Sequence, residues 1–150
     1  MGDGQRSSAD RLRPIRRLIG PIEAAETRWF GRSLLSLIFR RPVLILETRG
    51  RISGKRRRTV VAYHELDDSL AVVAGAGGET RVPDWVRNLR ADPKVVVTRN
   101  RRAAPMRARE LTGEERAAAW ERLLPVFPQI DGYQRQAGYE LAVFLLDAAD

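Results

Sequence analysis

The stretch Thr48-Arg49-Gly50-Arg51-Ile52-Ser53-Gly54-Lys55-Arg56-Arg57-Arg58-Thr59 decides the reading of this chain. It lies between two runs with strand chemistry, Val43-Leu44-Ile45-Leu46-Glu47-Thr48 and Thr59-Val60-Val61-Ala62-Tyr63-His64-Glu65. Both are rich in β-branched residues, so Arg49 to Lys55, with its glycines, is expected to be the turn of an antiparallel hairpin. Its two glycines let the backbone turn tightly, and Ser53 and Thr59 add hydroxyls. Arg51, Lys55, Arg56, Arg57 and Arg58 add charge. Such a set suits a phosphate or polycarboxylate group, which needs several charge-assisted donors at once. The plainer reading is a solvated charged face. It is not a P-loop, because the glycine-to-lysine spacing is wrong and a strand follows instead of a helix.

Further along, Asp67-Asp68-Ser69 reads as a hairpin turn into the strand Leu70–Ala74, and Gly75-Ala76-Gly77-Gly78 as an open loop. Pro83 suits the first turn of a short helix over Asp84–Arg90. Val95–Thr98 and Ala104–Glu110 read as strands joined by a turn at Asn100-Arg101. Thr112-Gly113-Glu114-Glu115 has the spacing of a capping box and opens a helix towards Leu124. A short helix over 129–137 and a strand over Leu141–Leu146 follow. Upstream, residues 1–9 are expected to be a disordered tail and residues 10–39 a helical segment. This order of antiparallel hairpins with few crossovers points to a mainly β fold with peripheral helices: a closed or nearly closed barrel over residues 40–150.

Composition narrows the chemistry. The chain has 150 residues, enough for one domain, and 43% of them are hydrophobic. It has no cysteine and one histidine, His64, which excludes disulfides, thiolate sites and multi-histidine metal centres. No metal is therefore expected. His64 is read as a structural or exposed residue. No stretch reaches the roughly 18 apolar residues of a membrane-spanning helix, and no secretory signal is evident, so a cytoplasmic setting is expected.

Charge is unevenly spread. Residues 1–58 carry 15 Arg and Lys against 5 Asp and Glu, whereas residues 59–150 carry 12 against 14. The imbalance points to an anionic partner. Nucleic acid fits poorly, because residues 49–58 offer no aromatic platform. Arg11, Arg13, Arg16 and Arg17 alternate with Leu12, Ile15, Leu18 and Ile19. A helix of that pattern suits the inner face of an acidic membrane; packing on its own barrel or on a homodimer partner is the other reading of residues 10–39.

The arginine-rich hairpin, followed by the glycine loop and by Pro83-Asp84-Trp85-Val86-Arg87-Asn88-Leu89, resembles the deazaflavin-dependent nitroreductase family. The likeness continues through Ala91-Asp92-Pro93-Lys94-Val95, the Thr112–Arg116 segment, Phe127-Pro128 and Tyr133-Gln134, and covers about residues 40–147. It implies a split β-barrel, of the kind that binds FMN, holding the reduced deazaflavin coenzyme F420, with FMN as the second choice. Arg51, Ser53, Gly54, Lys55, Arg57 and Thr59 would bind its phosphate and oligoglutamate tail. Ala74, Gly75, Gly77, Trp85 and Asn88 would line the ring, and Tyr133 the acceptor pocket, as a catalytic proton donor. The implied activity is hydride transfer to a quinone, nitro compound or other small electrophile. A non-catalytic binder of a flavin-like or lipid ligand is the alternative. The chain departs from the family pattern at Ile52, where lysine is usual, at Arg56 and Ala142, where proline is common, and at Phe127 and Ile130, where nitro-reducing members carry tyrosines.

Overall fold

The compact β-type run Val43–Arg49 is realised as a strand with Leu44, Leu46 and Thr48 buried on one face. The computed structural model describes residues 42–75 and 81–149. Within them the order is β1 (Val43–Arg49), β2 (Arg56–Ala62), β3 (His64–Leu66), β4 (Ser69–Val73), α1 (Asp84–Ala91), β5 (Lys94–Arg99), β6 (Arg102–Glu110), α2 (Gly113–Leu123), α3 (Gln129–Ala137) and β7 (Val143–Ala148). The expected tail over 1–9, the helical segment over 10–39, and Gly77 lie outside the described residues.

The strands form one antiparallel sheet in the order β2-β1-β5-β6-β7-β4-β3. Its two outermost strands are consecutive in sequence, with Tyr63 alone between them. They are two halves of one bent strand, the first zipped to β1 and the second to β4, which curls the sheet into a split barrel. The bend is pinned from two sides. The Tyr63 N–H donates to the Pro42 carbonyl at 3.2 Å. Arg99, at the end of β5, sets its guanidinium 5.7 Å from the Tyr63 ring centre and pairs with Glu65 at 3.1 Å.

Two cores result. Leu44, Leu46, Val72, Val97, Phe144 and Leu146 fill the barrel, and Val86 and Leu89 of α1 join them. On the outer face of β4 and β7, Ala71 and Val143 pack against Leu123, Phe127 and Ile130, contributed by α2, α3 and the turn between them. His64 belongs to this side, its ring 5.4 Å from that of Phe127. No helix among the described residues is long and apolar enough to cross a membrane.

Three local expectations change. The second strand, expected from Thr59, starts at Arg56, so Arg56, Arg57 and Arg58 belong to the ladder. Thr112 is the N-cap of α2 but makes no side-chain capping bond. Gly113 opens that helix at φ +57, out of capping-box geometry, and Glu115 pairs with Arg109 at 2.6 Å instead. The last strand begins at Val143, because Leu141 is held by side chains of α2 and α3 before the ladder starts.

Candidate functional site

The hairpin between β1 and β2 is closed by its own backbone. Gly50 N–H donates to Lys55 O at 2.7 Å and Gly54 N–H to Gly50 O at 2.8 Å. Gly50 is buried, and a Cβ there would lie 2.8 Å from Ser53 Oγ and 3.6 Å from Arg57 Nε. The absent side chain is therefore what lets Ser53 and the Lys55 carbonyl close over the turn. Ser53 Oγ accepts the Lys55 N–H at 3.2 Å, which leaves the hydroxyl proton to be donated outward.

Register sorts the cations. Thr48 faces Arg57, Leu46 faces Thr59 and Leu44 faces Val61 across the β1–β2 ladder. Residues directly opposite one another share a face, so Arg57 and Thr59 lie on the side of the barrel interior. Arg56 and Arg58 lie on the other side, where both pair with Glu47, at 3.7 and 2.8 Å. One charge run thus supplies two faces with different roles.

Asn88, 4% exposed, ties this hairpin to α1. Its Oδ1 accepts both the Arg51 N–H, at 3.2 Å, and Arg51 Nη1, at 3.0 Å. Its Nδ2 donates to the buried Thr48 hydroxyl at 3.4 Å. The Asn88 amide, expected to line a ring site, bonds the arginine hairpin. Arg51 Nη2 continues to Asp84 at 3.4 Å, and Arg81 reaches the same carboxylate oxygen at 3.6 Å. Arg81 and Asp84 escaped the sequence reading because an isolated arginine before a helix carries no motif; a basic residue three positions before an acidic helix start was the only signal.

The ring-side candidates form a second group. Ala74 N–H donates to Ala142 O at 2.9 Å. Gly75 adopts φ +134, and a Cβ there would meet Leu141 Cδ2 at 2.6 Å. Leu141 is itself fixed: its carbonyl accepts Arg116 Nη2 at 2.7 Å and its N–H donates to Gln134 Oε1 at 2.9 Å. Trp85, on the first turn of α1, packs 5.9 Å from Phe144 in the barrel core. Tyr133 sits in the outer cluster instead, edge-on to Phe127 at 6.3 Å. The structure thus brings Arg51, Ser53, Gly54, Lys55, Arg57 and Asn88 together around one hairpin. Ala74 and Gly75 lie at the end of β4, and Tyr133 on α3.

No cluster of His, Asp and Glu that could hold a metal occurs among the described residues. The donor set fits a tailed anionic cofactor. Guanidinium, ammonium and hydroxyl groups are gathered on one glycine turn, whereas the space that a Gly75 side chain would take is filled by Leu141.

The profile of the F420H(2)-dependent quinone reductase family matches residues 24–148. The chain belongs to this family. The Mycobacterium tuberculosis protein Rv3178, whose name assigns it provisionally to the same reductases, is 33% identical over 110 residues, covering 72% of this chain and 92% of its own. Another protein of that organism, the F420H(2)-dependent quinone reductase Rv1261c, is 38% identical over 56 residues, 37% of this chain and 38% of its own. Among solved structures, the F420-H2 dependent reductase FDR-A aligns with a TM-score of 0.63 and 33% identity, covering 71% of this chain and 95% of its own. A chain described as a domain-swapped dimer aligns at 0.64 and 30%, covering 81% and 98%. The family's split barrel and the fold described above agree.

Proposed function

We propose that this protein takes reduced coenzyme F420 as its hydride source and reduces a quinone to the hydroquinone. The observation that carries the reading is the inward pair Arg57 and Thr59, set beside Arg51, which Asn88 holds from behind. When bound, the coenzyme supplies a hydride at C5 of its deazaflavin ring. The chain's own residues do the rest. Arg57, Lys55, Arg51 and Ser53 hold phosphate and carboxylate oxygens. Ala74 and Gly75 offer a thin backbone wall, and Trp85 excludes water from one side. Tyr133 is the candidate for handing a phenolic proton to the acceptor oxygen, so that hydride plus proton complete a two-electron reduction.

A quinone is preferred to a nitro compound. Phe127 and Ile130 are 6% and 0% exposed and serve as core, so the acceptor side is poorer in hydroxyls than a tyrosine-lined pocket. The domain-swapped relative supports a homodimer as part of this proposal, which light scattering of the purified chain would check. A cytoplasmic setting is also part of it; membrane contact through residues 10–39 falls outside the described residues.

The test is a titration of purified protein with oxidised F420 and, separately, with FMN, followed by fluorescence. Mixing with reduced F420 and a quinone panel then follows recovery of oxidised-deazaflavin absorbance. Tight F420 binding and quinone-dependent turnover support the reading. Binding without turnover on any quinone would replace it with a carrier, and preference for FMN would replace the cofactor.

A further inference from the structure

The guanidinium of Arg51 is held from behind. Asn88, buried behind it, accepts from its Nη1 and from its main-chain N–H. This leaves Nη2 directed forward, and the Arg51 side chain is 26% exposed. Arg81 approaches from the other side, 74% exposed, so that the Nη2 atoms of two arginines meet one oxygen, Asp84 Oδ1. The contacts are long, 3.4 and 3.6 Å, whereas Arg90 and Glu110 elsewhere on the surface make two bonds at 2.7 and 3.0 Å. At these distances the one carboxylate oxygen holds both arginines only weakly. A phosphate, with several oxygens on one centre, can take one donor on each.

We propose that Arg51 and Arg81 form an anion subsite for a phosphate group at the start of α1, and that the Asp84 carboxylate is its internal, displaceable occupant. The proposal rests on the F420 reading for the identity of the natural ligand, whose tail would bring the phosphate. Asp84, 47% exposed, loses little when it swings out, because a carboxylate on the first helical residue still lies near the positive end of the helix dipole. Asp84 therefore lowers the affinity of the fork for other anions, and Arg81 extends the binding surface beyond the hairpin to the segment that precedes α1.

Wild type, Arg81→Ala, Asp84→Asn and a control, Asp67→Asn, would be titrated with two probes: oxidised F420, by its fluorescence, and inorganic pyrophosphate, by the fluorescence of Trp85 next to the fork. Asp67 lies in the turn at the far end of the bent strand, paired with Arg122, so its neutralisation makes the same charge change away from the fork. Thermal melts establish that each variant is folded, and all three substitutions lie at exposed positions. The expected result is binding about fivefold weaker in Arg81→Ala and about fivefold tighter in Asp84→Asn for both probes, with Asp67→Asn unchanged. Variants that bind both probes within twofold of wild type would overturn the subsite, as would an Asp84→Asn effect no larger than that of Asp67→Asn. If pyrophosphate follows the expected order and F420 does not bind wild type, the subsite stands and the F420 reading falls.

Discussion

Asn88 Oδ1 accepts two hydrogen bonds from a single residue, Arg51, one from its main chain and one from its guanidinium. A buried amide used this way fixes the direction of a cation as well as its position. The hairpin's charge is thereby referenced to α1 and, through α1, to the barrel core.

Replacing Asn88 with alanine leaves the Arg51 N–H and the Thr48 hydroxyl without this buried partner. The expected cost is about 1–3 kcal/mol of stability, read from urea unfolding. F420 affinity should fall with it, because the arginine loses its fixed direction. Asn88→Asp should recover part of the affinity, since a carboxylate still accepts both bonds from Arg51. Equal dissociation constants for wild type and Asn88→Ala would show that the arginine is positioned by something else.

Adjacent arginines should behave oppositely. Arg57→Ala should weaken F420 binding by roughly 1.5–3 kcal/mol, that is about 10–100-fold. Arg58→Ala, on the outer face with Glu47, should leave the dissociation constant nearly unchanged. Matching losses in the two variants would mean that the charge run acts as a diffuse field and not through an inward-facing residue.

Gly75 is constrained twice, by φ +134 and by Leu141. Gly75→Ala should destabilise the protein by about 1–3 kcal/mol, the sum of a disfavoured backbone and an overpacked neighbour. Adding Leu141→Ala should not restore wild-type stability, because the backbone strain remains and a cavity is created. Calorimetric melting of the two variants separates these contributions.

The β5–β6 turn holds both Asn100 and Arg101 at positive φ, 50 and 63. Arginine tolerates this conformation poorly, and a hairpin of this twist prefers glycine in the second position. Arg101→Gly should therefore raise stability by about 0.5–1 kcal/mol without touching activity. A lower melting temperature would show that the Arg101 side chain makes a compensating contact.

Asp67 is held below its ordinary value of 3.8, chiefly by hydrogen bonds from Arg122 and then by its charge. A carboxylate with a depressed folded value contributes stability that is present above the unfolded value and lost as pH falls through the folded one. Asp67→Asn should therefore be less stable than wild type at neutral pH, and the gap should close as pH falls below 3.8 and through the depressed folded value. Urea midpoints across that range check the sign; a gap that widens in acid would reverse it.

Much of the fold was legible because it is written locally. Val43–Thr48 is a compact run of β-type residues, Asp67-Asp68 and Asn100-Arg101 are turn dipeptides, and Pro83 marks the start of α1. The bend at Tyr63 left no local sign, since strand-type residues run from Thr59 to Glu65 with no glycine or proline between them; it exists because the two halves find different partners. At the site, the hairpin's charge and glycines were readable, whereas its wiring was not. Asn88 meets Arg51 across 37 positions, and Arg116 meets Leu141 across 25. Such contacts are set by packing, to which spacing along the chain gives no access. Tyr133 shows the same limit: its position on α3 was foreseen, but not its edge-on contact with Phe127.

The bent strand also imposes a counting rule. Arg57, Thr59, Val61 and Tyr63 look into the barrel, while His64 and Leu66 look out towards the helices. Deleting or inserting one residue at the hinge would throw these two sets out of step, so the cation-bearing hairpin and the helical cap could not both stay seated. Length between residues 56 and 66 is therefore not free to drift, whereas the side chains along it can be exchanged so long as odd and even positions keep their sides.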